Sequence, residues 1–112
     1  MKRGEVWTAA GGGAYTGKPR PVVVVQDDRF DMTASVTVCP FTTDDRDALL
    51  LRVPIQPSAA NGLAQPCRLM VDKLTTVPKA NLRRRIGALD HVQMARLGQA
   101  MAIFLGLPSL DA

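Results

Sequence analysis

The stretch Gly17-Lys18-Pro19-Arg20-Pro21-Val22-Val23-Val24-Val25-Gln26 sets a compact basic turn directly against an unbroken β-branched run. Val22 to Val25 have the length and branching of a strand buried on both faces, and a short strand fits them better than a helix. Pro19 and Pro21 fix φ on either side of Arg20 and push the preceding residues toward extended geometry, so this guanidinium projects from a stiff backbone. Arg20 offers a planar fork of donors that matches a phosphate bidentately, or it pairs with a surface carboxylate as lone arginines commonly do. These ten residues leave both readings open.

Upstream, Glu5 to Ala9 reads as a first strand, with Val6 and Trp7 too apolar for a tail. Ala10 to Thr16, with three consecutive glycines, is a flexible loop. It is not a Walker phosphate loop, because Gly17-Lys18 is followed by Pro19 where that motif needs Ser or Thr. Downstream, Asp27 caps a short helical turn that is expected to point Phe30 and Met32 inward. Ser35 to Cys39 alternates as a strand that Pro40-Phe41-Thr42-Thr43 ends, placing two hydroxyls at its terminus. Asp44 to Asp47 reads as a solvated turn, and Leu49 to Val53 as a strand that Pro54 and Pro57 terminate.

Asn61-Gly62 supplies turn chemistry before a strand from Cys67 to Asp72, on which Arg68 and Asp72 would share a face. Thr75 to Lys79 reads as a connector, Pro78 as the start of a short helix, and Arg84 to Leu89 as a last strand. The clearest helix comes at the end. Asp90 and Gln93 form a capping box, Met94, Leu97, Met101 and Phe104 recur at helical spacing, and Gly106 closes it. The pattern is mainly β with helices, an α+β class or curled barrel, in one domain of 112 residues.

Apolar residues at 46% and charged residues at 21% fit a folded chain and exclude disorder. No apolar run spans a membrane and no export signal opens the chain, so a cytoplasmic protein is expected. Cys39 and Cys67 form no metal or redox motif and are expected to be buried apolar side chains. Charge is segmented: four cations against Glu5 in residues 1–20, six Asp against two Arg in 27–47, and six cations against Asp72 in 68–85. Two basic segments around an acidic one permit a basic face for nucleic acid.

The opening Lys2-Arg3-Gly4-Glu5-Val6-Trp7, the Gly17-Lys18-Pro19-Arg20-Pro21 turn, Pro40-Phe41-Thr42-Thr43, Asp72-Lys73-Leu74-Thr75-Thr76-Val77 and Arg85-Ile86-Gly87-Ala88-Leu89 together resemble the MazF/PemK family of toxin ribonucleases. The resemblance covers nearly the whole chain. It implies a small SH3-like barrel of the CcdB/MazF type, a homodimer, metal-independent cleavage of single-stranded RNA with no cofactor, and a cognate antitoxin whose acidic tail covers the RNA groove. The family's catalytic Arg and Thr fall on Arg20 and Thr42. Lys18, Tyr15, Thr43, Lys73 and Lys79 are the residues this reading gives to RNA binding. Where several family members carry an acidic residue before the Arg, this chain has Ala14, Tyr15 and Thr16. Tyr15 either stacks on a base or packs. The same architecture serves CcdB-type gyrase poisons, whose gyrase contacts include a Trp near the C-terminus. Here Trp7 is the only Trp, which favours the ribonuclease.

The chemistry agrees with that order. Cleaving RNA through its own 2′-OH needs a base, donors for the phosphorane charge and an acid for the leaving oxygen, but no metal and no protein nucleophile. His91 is the only His, so two histidines in one subunit cannot do this work. Arg20 can clamp the phosphate and Thr42 can donate to a phosphate oxygen, while an arginine is a poor base. No general base stands out in the sequence.

Overall fold

In the computed structural model, which describes residues 1–10, 19–44 and 52–108, the valine run lies inside a sheet. The described strands are β1 (Glu5–Ala9), β2 (Arg20–Val24), β3 (Ser35–Thr42), β4 (Arg52–Ile55), β5 (Cys67–Met70), β6 (Thr75–Pro78) and β7 (Leu82–Ala88), followed by helix α1 (His91–Leu105). All strand pairs are antiparallel, in the order β4-β5-β3-β2-β1-β7, with β6 added to β3.

Alternation along β2 explains its composition. Val23 and Val25 face one apolar cluster with Leu97 and Ala100 of α1, while Val22 and Val24 face a second with Val36, Val38 and Leu82. Both faces of the strand are covered, so polar alternation would leave buried groups unpaired. β3 organises the rest. One edge of it carries β2, while its other edge is divided between β6, along Ser35 to Val38, and β5, at Phe41 and Thr42.

Several local expectations change. Phe30 and Met32 are 60% and 91% exposed, because the turn Asp28–Phe30 is a single three-residue 3-10 turn and cannot direct both side chains inward. The Asp27 cap does form, accepting from the Arg29 N–H at 2.8 Å. Thr75 to Pro78 is not a connector but β6, whose Thr76 hydroxyl meets that of Thr37 at 2.7 Å across β3. β-branched residues there fit a pleated edge. Pro54 lies within β4 and does not end it, which an edge strand tolerates because one side of its backbone needs no N–H. β3 also continues through Pro40 to Thr42.

β5 stops at Met70, and Asp72 sits in the 3-10 turn Val71–Lys73 instead of sharing a strand face with Arg68. Its carboxylate accepts from Arg52 Nε at 2.9 Å and Nη2 at 3.3 Å. Residues 45–51, with the expected turn and most of the leucine run, and the glycine loop at 11–16 lie outside the described residues.

Helix α1 is capped as its sequence predicts. Asp90 Oδ1 accepts from Gln93 N at 2.7 Å, Asp90 N donates to Gln93 Oε1 at 2.9 Å, and Gly106 closes the helix at φ 69°. Leu97 is fully buried and Met94 and Met101 pack against the same core, whereas Phe104 and Ile103 in the last turn are exposed. Cys39 and Cys67 are free and buried, and burial, with the charge of Asp72 second, pushes the Cys39 thiol up to about 12. No helix among the described residues is long and apolar enough to cross a membrane.

Candidate functional site

β2 begins at Arg20 and β3 ends at Thr42. Their register pairs Val22 with Pro40, and continuing it by two residues sets Arg20 opposite Thr42. Two residues is one full strand repeat, so both side chains leave on the same face of the sheet. Two residues that are 22 positions apart in sequence thus become neighbours at one end of the sheet.

This end of the sheet opens on a cavity of about 280 Å³. Pro19, Arg20 and Pro21 line it from β2, Phe41, Thr42 and Thr43 from β3, and Leu63, Ala64, Gln65 and Cys67 from the loop before β5. Thr42 Oγ1 accepts the N–H of Asp44 at 3.1 Å, which occupies one lone pair of the hydroxyl and leaves its proton to be donated elsewhere. The wall therefore combines apolar surface with a guanidinium, two hydroxyls and a carboxamide. Such a surface suits an anion attached to a flat, partly apolar body.

The opposite wall is held by Asn61, which is fully buried. Its Oδ1 accepts from Ser58 N and Leu63 N, each at 3.0 Å, and its Nδ2 donates to Gln56 O at 2.8 Å. Gly62 adopts φ +70°, and a Cβ there would stand 2.0 Å from the Ile86 carbonyl. Only glycine lets the loop lie this close to β7. Leu63 to Gln65 are consequently presented from a fixed turn.

Of the residues expected from sequence to act together, Arg20, Thr42 and Thr43 share the cavity. Tyr15 and Lys18 lie outside the described residues. Lys73 is exposed on the turn after β5 and does not line the cavity. Lys79 follows β6, which runs beside the Ser35 end of β3, about 23 Å along that strand from Thr42. There Lys79 Nζ lies 2.9 Å from Asp31 Oδ1. The Lys79 ammonium beside it holds the Asp31 carboxyl below its ordinary value, and Nζ also donates to the Asp31 backbone carbonyl, so this lysine serves as a clamp between the turn and β6. Gln65, Leu63 and Cys67 were not anticipated. The cue was the Asn61-Gly62 turn immediately before them, whose partner strand cannot be read locally.

Among the described lining residues there is no carboxylate and no imidazole. His91 is exposed at the start of α1. Among the described residues no group of three or more His, Cys, Asp or Glu is placed to hold a metal ion.

A family model described as PemK-like, MazF-like toxin of type II toxin-antitoxin system matches residues 2–105. The chain belongs to this family. As a MazF-like chain it is 57% identical over 107 residues to a probable endoribonuclease MazF of Mycolicibacterium smegmatis, covering 96% of this chain and 98% of that one. The Mycobacterium tuberculosis toxin MazF-mt6 superposes with a TM-score of 0.78 at 30% identity, over 94% of this chain and 99% of that structure. An endoribonuclease in complex with its cognate antitoxin from a mycobacterial species superposes with a TM-score of 0.75 at 25% identity, over 97% and 96%. The seven-stranded antiparallel sheet with one C-terminal helix is thus the fold of MazF toxins.

Proposed function

We propose that this MazF-like protein is an endoribonuclease that cuts single-stranded RNA through the ribose 2′-OH. The observation that carries the reading is Arg20 opposite Thr42 on the wall of one cavity, in a chain whose relative is named an endoribonuclease. The O2′–P bond forms as the P–O5′ bond breaks. The 2′-OH proton leaves to a base that is not among the described lining side chains, and O5′ takes up a proton, giving a 2′,3′-cyclic phosphate and a 5′-hydroxyl end. Arg20 clamps the phosphate through its planar fork, and Thr42 donates its free proton to an equatorial oxygen as charge builds.

The protein acts in the cytoplasm as a homodimer and is held inactive by a cognate antitoxin. Exposed apolar side chains at the end of α1, Ile103, Leu105 and Leu107, support an assembly that covers them. The basic character of residues 68–85 favours an acidic inhibitor that competes with RNA and whose binding weakens with salt. The relatives above lend no support to gyrase poisoning as the alternative.

Incubating the purified protein with single-stranded RNA in EDTA should yield fragments with 5′-hydroxyl ends. RNA of diverse sequence left intact would overturn the reading.

A further inference from the structure

Thr42 has a second neighbour across the sheet. On the side away from β2 it pairs directly with Arg68 of β5. Directly paired residues leave the sheet on one face with their Cβ atoms about 5 Å apart, so Arg20, Thr42 and Arg68 form a row across three strands, about 10 Å from end to end. Thr42 thus stands between two arginine positions in the row.

Three other arginines of the fold have acidic partners. Arg52 meets Asp72 at 2.9 Å, Arg85 meets Glu5 at 3.0 Å and Arg29 meets Asp27 at 3.0 Å. Arg68 has no ion pair and no side-chain hydrogen bond among the described residues. Its own cross-strand neighbours, Thr42 and Pro54, carry no charge. A half-buried arginine with no counter-ion on either adjacent strand is a site for an anion brought from outside.

We propose that Arg68 is a second phosphate-binding residue of the site, holding a phosphodiester of the same RNA strand that Arg20 and Thr42 engage. The inference rests on the endoribonuclease reading for the identity of the strand. Arg68 is not among the described residues that line the cavity, so this second contact lies beside it, gives β5 a direct role in substrate binding and makes the phosphate-binding surface a row instead of a single clamp.

The test is equilibrium binding of a fluorescent 2′-O-methyl RNA 12-mer, which cannot be cleaved, across a salt series. Wild type, Arg68→Gln, Arg68→Lys and the control Arg96→Gln, on the exposed face of α1, are compared. Losing one phosphate contact should make the slope of log K against log salt shallower by about 0.7 and weaken binding roughly tenfold or more in Arg68→Gln. Arg68→Lys should restore the slope because it restores the charge, and Arg96→Gln should match wild type. If Arg68→Gln lowers the melting temperature, Arg68→Met keeps the apolar stem and repeats the test. A wild-type slope in either neutral variant overturns the proposal. Should wild type bind this RNA yet leave cleavable RNA intact, the endoribonuclease reading fails while the slope still decides Arg68.

Discussion

The Thr42 hydroxyl shows how much one atom can be arranged by a neighbour. By accepting the Asp44 N–H it keeps its own proton for a ligand, so the backbone after β3 fixes the direction in which the side chain can donate. A second arrangement of this kind lies at Asp72, where the hydrogen bond from Arg52 holds the carboxyl below its ordinary value. Arg52's side chain is only 7% exposed, so this pair is screened less than a surface one. The sign follows from the lowered value. The stabilisation is complete above the unfolded carboxyl pKa, about 4, and is lost as pH falls through the depressed folded value. Asp72→Asn should therefore cost about 1 kcal/mol at pH 7. Urea melts at pH 7 and pH 3 should show its deficit relative to wild type shrinking at the lower pH, and an equal deficit at both would contradict the assignment.

Among the elements, the turn at Ser58 to Leu63 does the most to shape the cavity. Asn61→Ala would leave the N–H groups of Ser58 and Leu63 and the Gln56 carbonyl without their side-chain partner, inside a closely packed loop. The expected loss is about 3 kcal/mol, measured by urea unfolding, against near-zero change if water replaced the carboxamide. Asn61-Gly62 is legible in the sequence as a turn, but the burial of the Asn side chain is not, because it depends on β7 packing against the loop. Gly87 records that approach, since a Cβ there would stand 2.4 Å from the Ala60 carbonyl. β6 was hidden for a similar reason. Thr75 to Pro78 is short and polar, and it becomes a strand only because the Ser35 half of β3 offers it an edge. The capping box of α1 and the buried valine strand were legible because each is set by residues within one turn or one run. The inward turn expected for Phe30 and Met32 failed where periodicity had only three helical residues to act on.

At the scale of the whole molecule, function depends on register. β2, β3 and β5 bring residues 20, 42 and 68 into one row, and no local pattern contains that alignment. Arg20 and Thr42 could be named beforehand through resemblance and through the chemistry their side chains allow. The sequence reading gives Lys79 to RNA binding, and the pairing of β6 with the far end of β3 takes it away from the cavity. Arg68 was visible in the sequence as a cation of a basic segment, on a strand where Asp72 was expected to share its face. Whether Arg20 and Thr42 act on one phosphate is read from single-turnover cleavage of one RNA by wild type, Arg20→Lys, Thr42→Val and the double variant. Arg20→Lys keeps the charge but loses the fork, and Thr42→Val keeps the branched shape but loses the donor. Each should slow cleavage roughly a hundredfold or more with melting temperature unchanged, and the double variant should be less impaired than the product of the two. Near-wild-type rates in both single variants, or losses in the double variant that simply multiply, would contradict it.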